Sequence, residues 1–174
     1  MIELEFKVLD FIQEFLRCPF LDFLMPKITV LGNDGIIWIV AALVLLATKK
    51  YRRGGLALAV GLLAVLLIGN ITLKPLIART RPFDLVENIE LLVAAPTDFS
   101  FPSGHTLSSV VAAAILTMTD KRFGYVAIPL AVLIAISRLY LYVHFLTDIL
   151  GGVLIGAIIS TVVYLIFFRK KSLQ

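Results

Sequence analysis

Three short polar runs interrupt an otherwise apolar chain of 174 residues, and each lies at the edge of a hydrophobic segment. The first is residues 74–82, the second is residues 102–105, and the third extends from Ser137 to Asp148. Together they contain cationic side chains, two imidazoles and a carboxylate, which are costly to keep near lipid and mark functional sites in membrane proteins. The combination predicts a site at a membrane surface that binds and transforms a phosphate group.

Three cations are candidates for holding the phosphate: Lys74, Arg81 and Arg138. The transferred phosphoryl group carries negative charge on its equatorial oxygens, and converging cations stabilise that charge without a metal. An arginine holds two oxygens with its planar fork, whereas a lysine acts as a point charge. Any single one is explained equally well as a cation that reaches from a helix end toward water. Three of them together favour the phosphate site.

The second run, Pro-Ser-Gly-His at residues 102–105, opens a hydrophobic segment. Ser103 is a good helix N-cap, Gly104 lets the backbone approach a ligand, and free N–H groups at a helix start attract anions. We therefore expect the Ser103 hydroxyl and the amides near Ser103 and Gly104 to bind phosphate oxygens. Taken alone, the tetrapeptide is explained more simply as a helix cap.

His144 and Asp148 are four residues apart, a spacing that places both on one face of a helix. A carboxylate in that position holds one imidazole nitrogen protonated and directs the other toward a target. His144 is thus the predicted nucleophile, forming a phosphohistidine, with Asp148 orienting it. His105 remains as the acid that protonates the leaving oxygen and then the base that activates water.

The composition is that of an integral membrane protein. Hydrophobic residues make up 60% of the chain and the mean hydropathy is +0.99, whereas soluble domains are roughly 45–50% apolar. Cys18 is the single cysteine, so no internal disulfide supports the fold. No linker or repeat divides the chain, and the net charge of +4 gives no reason to expect a nucleic-acid partner.

Five apolar runs match, or nearly match, the ~20 residues that a helix needs to cross the hydrocarbon. They are residues 28–48, 55–73, 104–119, 124–142 and 146–168. The third is the shortest, and its serines and threonines predict a helix inside the bundle. Gly152 and Gly156 in the last run predict close packing against a neighbouring helix. The predicted fold class is an all-α membrane bundle of five spanning helices.

Residues 2–17 combine apolar positions at helical spacing with charged residues between them. This pattern predicts an N-terminal amphipathic helix lying in the membrane interface. Cys18-Pro19 is expected to end that helix. Residues 20–27 are then expected to turn the chain into the first span.

Basic clusters indicate how the bundle is oriented. They follow the first, third and fifth apolar runs, at Lys49, Lys50, Arg52, Arg53, Lys121, Arg122, Arg169, Lys170 and Lys171. Alternating spans place all of them on one side, which the positive-inside rule makes cytoplasmic. The three polar runs then face the extracytoplasmic side of the cell (inner or plasma) membrane, in a multi-pass protein.

The order and spacing of the polar residues resemble the three-part signature of the type 2 phosphatidic acid phosphatase (PAP2) superfamily. The motifs are Lys74-x6-Arg81-Pro82, Pro102-Ser103-Gly104-His105 and Ser137-Arg138-x5-His144-x3-Asp148. The resemblance covers about residues 26–168, the predicted catalytic core, and leaves residues 1–24 as the interfacial helix and turn of a single domain, 1–174. It implies a membrane lipid phosphatase with the roles given above. One departure is Leu146, where many relatives carry proline.

The predicted function is metal-independent hydrolysis of a lipid phosphomonoester or diphosphate, without a cofactor. Undecaprenyl diphosphate or phosphatidylglycerol phosphate is favoured, and the charge of Lys74, Arg79, Arg81 and Arg138 favours the diphosphate. Phosphatidic acid and a lipid A phosphate remain open. The alternative is a non-enzymatic channel or transporter, whose charges would be scattered through the membrane depth. A vanadium haloperoxidase shares the motifs, but the resembling enzymes are larger and soluble.

A few other polar residues carry weaker signals. Asn33 and Asp34, near the outer end of the first span, are expected to be exposed at the interface rather than to support the site. Arg79 and Asp98 are expected to be solvated loop residues. Residues 83–101 form the longest outer connection, and loops of that length commonly take part in recognition or act as lids.

Overall fold

The computed structural model describes residues 2–87 and 89–169, which form helices and loops without any strand. The predicted all-α class is therefore confirmed. The α-helices are α1 (Ile2–Phe11), α2 (Pro19–Leu31), α3 (Ile36–Ala47), α4 (Arg52–Ala64), α5 (Lys74–Ile77), α6 (Gly104–Thr119), α7 (Lys121–Tyr140) and α8 (Leu146–Phe167). Ile12–Leu16 and Val65–Leu73 are π-helical, and Asn33–Gly35 and Pro82–Leu85 are 3-10 turns.

Three helical segments are long and apolar enough to cross a membrane: Arg52–Leu85, α7 and α8. The pair formed by α2 and α3 reaches this length only if the two helices, bent by 44° at their junction, count as one span. Helix α6 has 16 residues and is shorter. The described residues thus contain three apolar spans by length, or four with the bent pair, whereas the sequence predicts five.

The first predicted span differs from the structure at its start. Residues 20–27 do not form a turn but belong to α2, because Pro19 occupies the first helical position, where its fixed φ favours helix formation. The chain then bends at Asn33–Gly35, where Asp34 and Gly35 adopt left-handed φ angles of 51° and 68°. Glycine adopts this conformation without a steric penalty.

Helix α6 lies at the centre of the bundle, packed against α4, α7 and α8. Leu107, Val111 and Ile115 are completely buried on it. Hydroxyl side chains of α6 form hydrogen bonds within the bundle: the Ser109 hydroxyl accepts a hydrogen bond of 3.0 Å from Trp38 Nε1. The predicted interior position of this helix is confirmed.

Glycines bring α8 close to α6, as predicted. A Cβ atom on Gly152 would lie 3.1 Å from the Ser103 carbonyl oxygen, and one on Gly156 would lie 2.9 Å from a methyl carbon of Val110. The close approach lets the Ser103 amide donate to the Asp148 carbonyl over 3.2 Å. The starts of α6 and α8, which carry two of the three polar runs, are therefore joined directly.

The N-terminal segment is helical as predicted, and it also covers part of the bundle. Leu9 of α1 is completely buried and clusters with Tyr142 and Phe145, while the Phe6 ring packs edge-on against Phe145 at 5.3 Å between centroids. Glu5 on the same face is 6% exposed. Helix α1 thus packs over the loop that precedes α8.

Candidate active site

A cavity of about 880 Å³ lies where the three polar runs meet. Its walls come from the junction of α2 and α3, the end of the Arg52–Leu85 segment, residues 93–98 and the start of α6. Six predicted site residues line it: Lys74, Arg81, Gly104, His105, Arg138 and His144. Asp148 and Ser103 are completely buried and do not line the cavity.

His144 is held between a carboxylate and a guanidinium. Its Nδ1 lies 3.3 Å from Asp148 Oδ2, and its Nε2 lies 3.2 Å from Arg81 Nη1. The carboxylate next to Nδ1 favours a proton on that nitrogen, which leaves the lone pair on Nε2. The imidazole is 1% exposed, so its rotation is restricted by packing.

The predicted arrangement of His144 and Asp148 on one helix face is wrong in detail. His144 precedes the N-cap residue Phe145, and Asp148 lies in the first turn of α8. The two are brought together because Asp148 Oδ2 accepts a 2.8 Å hydrogen bond from the Phe145 amide, a capping contact that folds the chain back over the helix start. Ser100 Oγ also donates to Asp148 Oδ2, over 2.5 Å.

Burial, followed by the neighbouring charges of Arg81 and Arg138, lowers the pKa of His144 to about 3, against the opposing effect of Asp148. The residue lies in the loop between α7 and α8. A histidine with this pKa is neutral at pH 7. Neutrality is what a nucleophilic nitrogen requires, since protonation occupies its lone pair.

Arg138, 4% exposed, approaches the cavity from the end of α7. Its Nη1 donates a 2.6 Å hydrogen bond to the Thr29 hydroxyl of α2. Its Nε is buried and finds no hydrogen-bond partner among the described residues. An unpaired donor in a buried cation is costly, and a phosphate oxygen in the adjoining cavity would satisfy it.

Asp98 is a half-exposed loop residue, as the sequence predicts, but it also forms ion pairs that the sequence does not predict. Its carboxylate bridges two of the predicted phosphate ligands, pairing with Lys74 Nζ through Oδ2 and with Arg81 Nη2 through Oδ1 at 2.6 Å. Burial acts to raise the pKa of Asp98, but the hydrogen bond and charge of Lys74, together with Arg81, lower it to about 2. Asp98 is therefore ionised at neutral pH and competes for the cations that would hold a phosphate.

The sequence also predicts a solvated Arg79, whereas its side chain is only partly exposed and belongs to an ion-pair network. Its Nη1 donates to Asp148 Oδ1 over 2.5 Å and to Thr147 Oγ1 over 2.6 Å. Its Nη2 pairs with Glu5 of α1. The guanidinium lies against the Phe145 ring, 4.3 Å from its centroid. No feature of the sequence links Glu5 to Asp148, because the contacts cross most of the chain.

His105 lies in the first turn of α6 and is oriented from the α2–α3 junction. Its Nε2 is 2.9 Å from Asn33 Oδ1. Asn33 is exposed, as the sequence predicts, and its contact with His105 favours the alternative that this residue also supports the site. The left-handed turn at Asp34 and Gly35 creates the bend that places Asn33 beside His105.

Ser103 is the N-cap of α6, and its hydroxyl accepts from the Thr106 hydroxyl at 3.1 Å and from the Thr106 amide at 3.4 Å. The Ser103 side chain thus caps the helix from a completely buried position and does not line the cavity, so its predicted contact with phosphate stays a prediction. Gly104 does reach the cavity. A Cβ atom there would lie 3.8 Å from Lys74 Nζ, so the glycine leaves room beside the lysine.

Comparisons with known proteins identify the family of this chain. The family model described as the PAP2 superfamily matches residues 54–172. An undecaprenyl-diphosphatase from Sulfolobus acidocaldarius is 34% identical over 138 residues, which cover 79% of this chain and 66% of that protein, just under two thirds of its length. Phosphatidylglycerophosphatase B from Bacillus subtilis is 31% identical over 173 residues, covering 90% of this chain and 77% of the relative.

Solved structures give the same result. A transmembrane PAP2 type phosphatidylglycerolphosphate phosphatase from Bacillus subtilis has a TM-score of 0.75 at 30% identity, over 99% of this chain and 88% of that one. Aquifex aeolicus LpxE has a TM-score of 0.71 at 28% identity, over 93% of both chains. The chain belongs to the PAP2 superfamily. The named relatives are phosphatases of lipids, the class of enzyme that the sequence predicts.

We predict that Asp98→Asn strengthens inhibition by vanadate, because the substitution removes the anion that competes for Lys74 and Arg81. Vanadate should inhibit the variant at roughly tenfold lower concentration, equivalent to about 1.4 kcal/mol. Asp84→Asn is the matched control, since Asp84 is exposed on the same loop. Weaker inhibition of Asp98→Asn than of the control would mean that Asp98 organises the cations rather than competing for them.

Proposed function

We propose that this chain hydrolyses a lipid phosphomonoester or diphosphate in two steps, through a phosphohistidine on His144. The observation that carries the proposal is the position of His144, fixed by Asp148 on one side and sharing a cavity with Lys74, Arg81 and Arg138 on the other. A neutral nucleophile surrounded by fixed cations is suited to phosphoryl transfer, which depends on positioning and charge stabilisation.

In the first step, Nε2 of His144 attacks phosphorus and the bond from phosphorus to the leaving oxygen breaks. Positive charge develops on the imidazole, and Asp148 stabilises it through the proton on Nδ1. His105 donates a proton to the leaving oxygen. Lys74, Arg81 and Arg138 balance the charge on the equatorial oxygens. The phosphate thereby displaces Asp98 from Lys74 and Arg81. These cations supply the stabilisation for which other phosphatases use a metal ion.

In the second step, water attacks the phosphohistidine. His105, now deprotonated, accepts a proton from the water, and the bond between phosphorus and His144 Nε2 breaks. Asn33 orients His105 for both transfers. The product is inorganic phosphate, which leaves as Asp98 returns to Lys74 and Arg81.

A polyprenyl diphosphate is the substrate that we favour, with phosphatidylglycerol phosphate second. The argument from four cations is weaker than the sequence indicated, because Arg79 pairs with Asp148 and Glu5 and does not line the cavity. Two observations still support the diphosphate: three cations line a cavity of about 880 Å³, and a relative at 34% identity is named undecaprenyl-diphosphatase.

For the topology, we propose five spans in the plasma membrane, with α6 and the bent α2–α3 pair each crossing once and α1 in the interface. The junctions after α3 and α6 lie together, since Tyr51 donates a 3.0 Å hydrogen bond to Asp120. Both junctions carry basic residues, which supports a cytoplasmic position. The cavity would then face the extracytoplasmic side. Lys170 and Lys171, part of the third basic cluster, lie outside the described residues.

We predict that the two histidines respond differently to the leaving group. His144→Ala should abolish turnover with every substrate, because no binding group replaces a nucleophile. His105→Ala should lose roughly 10²–10⁴-fold on a lipid substrate but recover partly on an aryl phosphate, whose leaving group needs no proton. Unchanged melting temperatures in detergent would confirm the fold. Equal recovery of both variants, or activity in His144→Ala, would contradict these roles.

The substrate is tested by measuring kcat/KM side by side on undecaprenyl diphosphate, phosphatidylglycerol phosphate, phosphatidic acid and a lipid A phosphate in one detergent. We expect the diphosphate to be hydrolysed best, with activity retained in excess EDTA, and His144→Ala serves as the blank. A preference of about tenfold for phosphatidylglycerol phosphate, ~1.4 kcal/mol in the transition state, would overturn the substrate proposal. Loss of activity in EDTA with recovery on magnesium or zinc would overturn the metal-free mechanism.

The topology is tested by cysteine labelling in intact cells. After Cys18→Ser, a single cysteine at exposed Glu90 should react with an impermeant thiol reagent, whereas one at exposed Lys50 should react only after the cells are permeabilised. Labelling with the opposite preference would move the cavity to the cytoplasmic side. Labelling of both sites before permeabilisation would contradict the proposed number of spans between them.

A further inference from the structure

The mechanism above leaves one buried charge without a role, the Glu5 carboxylate on the N-terminal helix. Glu5 is 6% exposed, whereas Glu3 on the same helix is exposed. Its oxygens accept three hydrogen bonds, which come from two residues, Arg79 and Thr147. Arg79 Nη2 pairs with Oε2, and Thr147 donates to Oε1 through both its hydroxyl and its amide, the latter over 3.3 Å.

Arg79 connects this carboxylate to the predicted catalytic pair. One arm of its guanidinium holds Glu5 and the other donates to Asp148 Oδ1 over 2.5 Å. The opposite oxygen of Asp148 faces His144 Nδ1 at 3.3 Å. The four groups therefore form a continuous series of contacts, in the order Glu5, Arg79, Asp148 and His144.

Stability alone is a poor explanation for such a series. Burying a cation between two carboxylates costs desolvation energy that the mutual attraction offsets only in part, and an apolar cluster of similar volume commonly does as well. The apolar side of α1 already holds the helix, since Leu9 and Phe6 pack against Phe145 and its neighbours. We therefore expect the contacts among Glu5, Arg79 and Asp148 to have a role in the activity of the site.

We propose that Glu5 and Arg79 are positioning residues that set the charge felt by His144, which makes the N-terminal helix part of the catalytic machinery. The inference rests on the proposed function of His144 as nucleophile. Asp148 must stabilise positive charge on the imidazole, and Arg79 by itself would neutralise Asp148. Because Arg79 pairs with Glu5 as well as with Asp148, one positive and two negative charges meet here. Glu5, Arg79 and Asp148 together therefore retain a net charge of −1 next to His144.

This charge balance distinguishes the proposal from a purely structural role. Glu5→Gln leaves the three groups neutral, Arg79→Gln leaves them with a charge of −2, and the double variant returns them to −1. We expect Glu5→Gln to lower kcat by about 10- to 100-fold, in the range typical of residues that support a ligating or catalytic group. KM should stay within a factor of about two, because the cavity cations are untouched. The double variant should recover a large part of the kcat that Glu5→Gln loses.

The experiment measures kcat, KM and melting temperature in detergent for both single variants, the double variant and Glu3→Gln as the matched control of equal charge change. Recovery of kcat in the double variant, with Glu3→Gln unchanged, supports the proposal. The proposal is overturned if Glu5→Gln retains wild-type kcat, if the double variant is as impaired as Glu5→Gln, or if every loss of kcat follows the melting temperature. Activity in His144→Ala would instead refute the underlying function, so the two failures are separable.

Discussion

Buried charge at one end of an apolar bundle is the constraint on which the rest of this structure depends. Besides His144, five acidic or basic side chains near the cavity are less than 10% exposed: Glu5, Lys74, Arg81, Arg138 and Asp148. A charge removed from water must find a partner or it destabilises the fold. The loop before α6 provides Asp98, residue 79 provides a guanidinium, and α1 provides Glu5. Segments that look peripheral in the sequence are thus held in place by the electrostatic needs of the site.

The same constraint explains how the site handles an anionic substrate. Lys74 and Arg81 are balanced by Asp98, whose side chain is 52% exposed and lies on a loop. In the proposed mechanism, a phosphate that enters the cavity replaces the Asp98 carboxylate, so that neither cation is left without an anion during binding and release. Arg138 Nε lacks a hydrogen-bond partner among the described residues, and in the proposed mechanism a phosphate oxygen would supply it.

The sequence predicts those parts of the site that short-range patterns encode. Apolar runs locate the helices, and cations or imidazoles at their ends identify Lys74, Arg81, His105, Arg138 and His144, all of which meet in one cavity. The sequence does not predict contacts between residues that are far apart along the chain. Asn33 and His105 are 72 residues apart, and Glu5 and Arg79 are 74 apart, and no spacing rule connects such pairs. The bend at residues 33–35 falls inside the predicted first span because apolar residues flank it on both sides, although Asn33-Asp34-Gly35 is itself a turn signal.

The contact between α6 and α8 explains why the two histidines are suited to act on one phosphorus atom. In-line transfer requires the nucleophile and the acid on opposite sides of the phosphoryl group. His105 begins α6 and His144 precedes α8, and these helix starts are joined by the hydrogen bond from the Ser103 amide to the Asp148 carbonyl. Gly152 permits that approach, since any side chain there would meet the Ser103 backbone. The separation of the proposed acid and the proposed nucleophile therefore depends on backbone contacts, which vary less than side-chain rotamers.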